Sequence, residues 1–281
     1  MEEATGGFAR TYGVELLFEE RPSLSPEILL RSVRARRPAA EPLNKSGGGT
    51  VLAILHPDHP VQFADGTAPA QTCVLPTDAP FQLTEALEDA LRQSWKFPEA
   101  REVVGRCRHT VLVTDLMSSL LDPGERLELF EDTLAGVLEV APAAAIHWRP
   151  TGQFISPSAY RNAYREGGAS RFFAGALNVR FYNISNSPGD MVMDTLGLAA
   201  LGLPDLQCHY RDLDPGRVAA LLSNTAYYIF EKGDVIEDGH TVEGLESGTR
   251  WRCQHENSLL QPARVVLDLD PGPPHAAGGR S

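Results

Sequence analysis

No stretch of this chain approaches the ~18 consecutive apolar residues of a membrane-spanning helix. The first residues, MEEATGGFARTYG, are acidic and polar where a signal peptide is basic and then apolar. Both absences point to a cytoplasmic protein with no membrane partner. Cysteine is sparse. Cys73, Cys107, Cys208 and Cys253 lie 34, 101 and 45 residues apart with no CxxC pair, so structural-zinc and dithiol spacings are missing and buried thiols are the expectation. Positive charge is also short: 25 Lys and Arg stand against 37 Asp and Glu, a net of −12. That balance opposes binding to phosphate backbones and excludes nucleic acid as a direct partner. The GxSxG elbow, HExxH, the Walker A loop, a GxGxxG opening a helix and the kinase signature set are all missing. The glycines of Gly47–Gly49 run straight into VLAIL, whereas phosphate-binding glycines follow a strand and open a helix.

What is present is the composition of a folded protein: 42% hydrophobic and 22% charged in 281 residues, enough for a sizeable core and one or two domains. Residues 1–10 and 270–281 lack periodicity and read as disordered tails, and 36–49 reads as a mobile surface loop. Between them, elements alternate. GVELLFEE predicts a strand, and Ser25-Pro26-Glu27 predicts a capped helix start. TVLAIL leads through HPDHP and the Asp65-Gly66 turn into QTCVL, a hairpin-like passage. Leu83, Leu87, Leu91 and Trp95 recur every four residues and predict one buried helical face. HTVLVTDL closes this series as a strand.

A helix opened by Asp122-Pro123, with Leu127, Phe130, Leu134 and Leu138 on its apolar side, then leads to AAAIHW and a second series. Its helices open at Ser156-Pro157 and Asp214-Pro215, AYYIFEKGDVIEDG reads as a strand, and WRCQHE and ARVVLDLD finish the sheet. The expectation is an α/β (α+β) fold of two pseudo-repeated β-α-β-β-α-β ferredoxin-like halves, residues 11–118 and 143–269, joined by a connecting helix over 119–142.

Few side chains suggest chemistry. His56-Pro57-Asp58-His59 carries metal-ligand types, but two prolines among polar residues make a turn the simpler reading. His147, beside Trp148 in an apolar strand, reads as a core histidine, and Cys208 and His209 point to opposite faces of a strand. No metal or cofactor is expected.

The most distinctive run is DTLGLAALGLPDLQ, followed by DGHTVEG. In it Thr195, Gly197, Leu198, Gly202, Pro204 and Asp205 match a T-x-G-L-x-x-x-G-L-P-D segment, and Asp238, Gly239, Thr241 and Gly244 match D-G-x-T-x-x-G. On these segments, with HTVLVTDL and AAAIHWRPTGQFISPSAYRNA, the chain resembles the bacterial domain of unknown function 4261 family over about residues 80–246. The resemblance implies an α/β fold in the bacterial cytosol, sometimes in gene neighbourhoods of toxin and immunity proteins, with no catalytic residues assigned. Independently of it, Gly197, Gly202 and Pro204 break any regular helix, so GLAALGLPD reads as a strand, a tight bend and a loop.

Glu231–Glu246 holds six carboxylates against one lysine. Val235, Ile236 and Val242 would anchor it to a sheet, and the acids Asp234, Glu237, Asp238, Glu243 and Glu246, with His240, would face outward as a hairpin contact surface. Two functions follow. The first is a non-catalytic module, an immunity or accessory factor docking a basic protein partner. The alternative is an enzyme, of the metal-assisted hydrolase kind, built on Asp190, Asp194, Asp205, His209 and His240.

Overall fold

Apart from Glu15 the run GVELLF is apolar without alternation, the pattern of a strand covered on both faces. In a computed structural model that describes residues 11–43, 51–185 and 187–278, it forms the strand β1 (Gly13–Phe18), with Leu16 and Leu17 both fully buried on opposite faces. The mobile loop expected over 36–49 lies outside the described residues from 44 onward, as does the 1–10 tail.

The described residues fall into two units, the first ending at Ala176 and the second beginning at Leu177. After β1 the first unit runs α1 (Pro26–Arg34), β2 (Glu41–Pro42), β3 (Leu52–Phe63), β4 (Gly66–Pro76), α2 (Glu85–Arg92), α3 (Ala100–Arg106), β5 (His109–Leu116), α4 (Pro123–Val140), β6 (Ala145–Trp148), β7 (Gln153–Ile155), α5 (Pro157–Glu166) and α6 (Gly168–Phe173). Its antiparallel sheet has the order β2-β3-β4-β5-β1-β6-β7. Leu17, Ala145 and Phe154 meet Ala90, Phe97, Ala100 and Val104 of the α2–α3 region on one face. On the other, Trp148 packs edge-on against Phe130 of α4 at 6.0 Å, and α1 packs on α4.

The second unit runs β8 (Asn178–Asn183), β9 (Asp190–Leu196), a 3-10 turn at Leu198–Leu201, β10 (Asp205–Arg211), α7 (Pro215–Lys232), β11 (Thr241–Glu243), β12 (Arg250–Asn257) and β13 (Val265–Asp270). Its sheet has the order β11-β12-β13-β10-β9-β8, with β10 and β13 parallel and the other pairs antiparallel. α7 packs on β8, β9 and β10.

The mixed α+β class is thus as the sequence reads; the duplicated ferredoxin-like halves are not what the pairing shows. A split βαβ unit places its first strand between the third and fourth, whereas here β5 lies between β4 and β1. AAAIHW does not open a second half, because β6 completes the first sheet by pairing with β1. Nor is the helix within 119–142 a connector: Leu127, Phe130, Leu134 and Leu138 of α4 are core residues of the first unit. AYYIF is helical, the C-terminal half of α7, because Leu222, Ala226 and Ile229 repeat at helical spacing and all are fully buried. The described part of the 270–281 tail is ordered, with Ala276 bridging Tyr210 and Ala277 buried. Leu83 and Trp95 lie outside α2 and are exposed, while Leu87 and Leu91 are half-buried against its core.

Cap chemistry separates along the same lines. Ser25, Asp122 and Asp214 accept backbone N–H groups of their helices. Ser156 does not; its hydroxyl lies 2.7 Å from that of Ser158.

Candidate functional site

Pairing of β9 with β10, and of β10 with β13, brings together carboxylates that the sequence separates. Asp194 receives Arg180 through Nε at 3.0 Å and Nη2 at 2.6 Å. Arg264, just ahead of β13, donates from Nη2 to Asp194 at 2.6 Å and from Nε to Asp205 at 2.9 Å. The other oxygen of Asp205 accepts the Thr195 hydroxyl and the Leu198 N–H, each at 3.1 Å. Burial raises the Asp205 carboxyl above its ordinary value, and Arg264 works against that rise. Gly197 at φ 146° and Gly202 at φ 88° bracket the 3-10 turn whose N–H groups Asp205 receives, a backbone path that residues with a Cβ rarely adopt. The residues Thr195, Gly197, Leu198, Gly202, Pro204 and Asp205 therefore belong to one self-bonded turn, a structural device.

The enzyme reading needed Asp190, Asp194, Asp205, His209 and His240 to face a common cavity. Asp190 instead pairs with Arg211 at 2.9 Å, Asp194 and Asp205 are held by arginines, and His209 packs beside Gly278. His240 lies elsewhere, on a groove.

That groove encloses about 670 Å³ between α7 and the segment 235–243. Leu221, Thr225 and Tyr228 form one wall; Val235, Ile236 and Val242 form the other; His240 and Glu243 stand on its border. Tyr228 is 48% and Val235 47% exposed, so two large apolar side chains meet water in one concavity. The segment keeps its shape through His255 on β12. Asp238 accepts the His255 backbone N–H at 2.7 Å and lies 2.8 Å from its Nδ1, while Asp234 lies 3.1 Å from Nε2. Partial burial disfavours the charged ring, but the hydrogen bonds to Asp238 and Asp234 outweigh it and His255 lies above the ordinary histidine value. The backbone N–H of His255, and then its ring, hold Asp238 below the usual carboxylate range.

The acidic segment is thus only partly a hairpin: β11 pairs with β12, and 234–240 is a loop with its turn at Gly239. Its acids divide by role. Asp234 and Asp238 fasten the loop, and Glu246 meets Arg217 at 2.7 Å. Glu237 stands on the exposed turn near His240, and Glu243 shares its register position with Arg250. A Cβ at Gly244 would collide with the Trp251 indole, so glycine there permits the close approach of the chain to β12. Sequence reading missed Tyr228 because AYYIF was assigned to a strand, and it did not single out Leu221 and Thr225 within the helix opened by Asp214-Pro215. Helical spacing of four and three residues between them was the signal that would have found them.

In the first unit His56 and His59 sit in β3 at an irregularity of register between His56 and Pro60, not in a turn. They face different partners. His56 Nε2 lies 2.8 Å from the Thr72 hydroxyl and His59 Nδ1 2.6 Å from Glu125. His147 pairs with Glu15 at 2.9 Å and stacks on Phe154, as a satisfied core histidine does. None of the four cysteines forms a disulfide, and all are buried. Among the described residues no group of three or more His, Cys, Asp or Glu is placed to hold a metal ion, and no helix is long and apolar enough to cross a membrane.

Residues 194–270 match the family model described as Domain of unknown function (DUF4261). The match takes in both glycine-containing segments, α7 and the groove, and extends through β13, whereas residues 80–193 lie outside it. No curated protein and no solved structure matches the chain.

Proposed function

We propose that the unit over which the chain resembles this family is a non-catalytic protein-binding module, and that its groove takes a segment of a basic protein partner. One observation carries the reading: Tyr228 and Val235, each about half exposed, share a concavity whose rim holds the Glu243 carboxylate, on a chain of net charge −12. Apolar side chains in such a concavity supply affinity, and the surrounding acids steer a cationic partner and fix its register. A role as an immunity or accessory factor in a bacterial cytoplasm is the biological setting this reading fits. The alternative of an enzyme loses its motive, because three of its five residues are held in ion pairs and only His240 borders the groove.

The test is a photo-crosslinking phenylalanine analogue placed at 228 or, as control, at the exposed Arg161. The captured protein, purified, should associate with the wild type and lose about tenfold or more of its association rate at low salt against Glu237→Lys with Glu243→Lys, a deficit that shrinks as salt rises. These two acids are chosen because Asp238 holds His255 and its loss would disturb the loop itself. Equal capture at both positions, or a rate indifferent to the two lysines, would sink the proposal.

A further inference from the structure

We infer that the segment bound in the groove is extended and adds a strand to the free edge of β11. The inference rests on the binding reading above and goes further, to the mode of recognition.

β11 ends the six-stranded sheet, with β12 on one side and no strand on the other among the described residues. Cys253 donates its N–H to the His240 carbonyl at 2.8 Å, and Gly244 donates to the Thr249 carbonyl at 3.0 Å. In an antiparallel ladder, backbone groups alternate between the two sides. Residues 240, 242 and 244 therefore face β12, and the N–H and C=O groups of Thr241 and Glu243 face outward. Two donors and two acceptors form a short ladder open to an incoming chain. Proline, inward-facing charge and lysine, the usual protections of an exposed edge, are absent from Thr-Val-Glu.

This edge and the apolar groove adjoin, since Thr241, Val242 and Glu243 themselves line the cavity with Tyr228 and Leu221 of α7. An added strand lies about 4.8 Å from its neighbour and sends alternate side chains to opposite faces. One set enters the groove beside Tyr228 and Val235; the other points to solvent near Glu237 and Glu243. The occupant so described is an extended segment of a basic protein in which apolar residues alternate with Lys or Arg, with main-chain hydrogen bonds supplying affinity and the pocket supplying choice.

The experiment uses the full chain and a displayed library of random peptides. Selected sequences should alternate apolar and basic residues. In a synthetic copy of the best one, N-methylation of a central amide that faces β11 should weaken binding about tenfold, while methylation of the neighbouring, outward amide should change it less than about twofold. Thr241→Pro removes only an outward N–H of β11 and should weaken the unmodified peptide comparably; where that variant loses its folded circular-dichroism spectrum, the two methylated peptides decide alone. Binding that responds equally to methylation at both positions would overturn strand addition and leave the groove reading intact. Failure of the library to enrich any peptide that Tyr228→Ser releases would overturn both. Sedimentation showing a dimer of this chain abolished by Thr241→Pro would make a second copy the occupant and overturn the basic partner.

Discussion

Asp205 and Arg264 stand 59 residues apart in the chain and 2.9 Å apart in space, and the same guanidinium donates to Asp194 and to the Thr195 carbonyl. All three charged side chains are buried. A buried ion pair contributes little net stability over a well-packed apolar core, but removing one partner leaves charge uncompensated. Arg264→Met should therefore lower the stability of the second unit by about 3–5 kcal/mol, read by chemical denaturation. A loss below ~1 kcal/mol would show that the carboxylates are satisfied without it.

The two Ser-Pro helix starts should behave differently. Ser25 accepts the Ile28 N–H at 3.4 Å, a long cap bond, so Ser25→Ala should cost ~0.5–1 kcal/mol. Ser156 makes no cap bond to α5, and Ser156→Ala should stay within a few tenths of a kcal/mol. Equal losses in the two variants would contradict this difference.

Glu131 makes the stability of the first unit fall as pH rises from the ordinary glutamate range to about 8. Burial raises its carboxyl to about 8, opposed by the Arg171 guanidinium that contacts it. A carboxyl whose folded value exceeds its unfolded value favours folding while it is protonated, so this contribution is full below the ordinary glutamate range and is lost as pH rises toward about 8. Glu131→Gln keeps a neutral group of the same shape, and Asp132, 2.8 Å from Arg171, continues to balance the arginine. The variant should gain on the wild type in thermal stability as pH climbs from the ordinary glutamate range to about 8, and the gain should level off above that. A constant difference between the two across that range would refute the assignment.

His56 acts in the opposite direction. Burial lowers its ring to about 4, so the folded state holds it neutral. Its contribution is present above the ordinary histidine value and is lost as pH falls toward about 4. Proton uptake by the unfolded chain, measured by potentiometric titration of folded and denatured protein, should be smaller in His56→Asn in that window. Unchanged uptake would mean the ring titrates normally.

At the groove, His255 links loop shape to pH. Its folded value is raised, so the bridge to Asp234 and Asp238 is strongest below the ordinary histidine range and weakens as pH rises through the raised value. The Gly239 amide, bonded to the Cys253 carbonyl at 2.8 Å, should lose hydrogen-exchange protection, corrected for intrinsic rate, across that rise, and should do so far less in His255→Gln. Identical protection profiles in the two proteins would remove the link.

Local signals in the sequence carried much of this fold. The Asp65-Gly66 turn between β3 and β4, the caps at Ser25, Asp122 and Asp214, the apolar face of α4 and the strands β12 and β13 all follow from interactions spanning a few residues. The positive φ of Gly197 and Gly202 was legible for the same reason, since glycine is the residue that adopts it freely. AYYIF was not: its aromatic residues favour strands, and tertiary burial of the Leu222, Ala226 and Ile229 stripe overrode that preference. Strand partnership lay beyond local pattern altogether. Val14 lies opposite both Val113 and Trp148, pairings set by which faces bury together rather than by neighbouring residues. The same holds for charge. Along the chain Asp190, Asp194 and Asp205 look like an available acid cluster, and only the parallel pairing of β10 with β13 brings Arg264 to two of them. Sequence by itself determined the helix starts, the turns and the surplus of acid; tertiary structure decided which acids are buried in ion pairs and which border a groove, because desolvation and ion pairing depend on contacts between segments far apart in the chain.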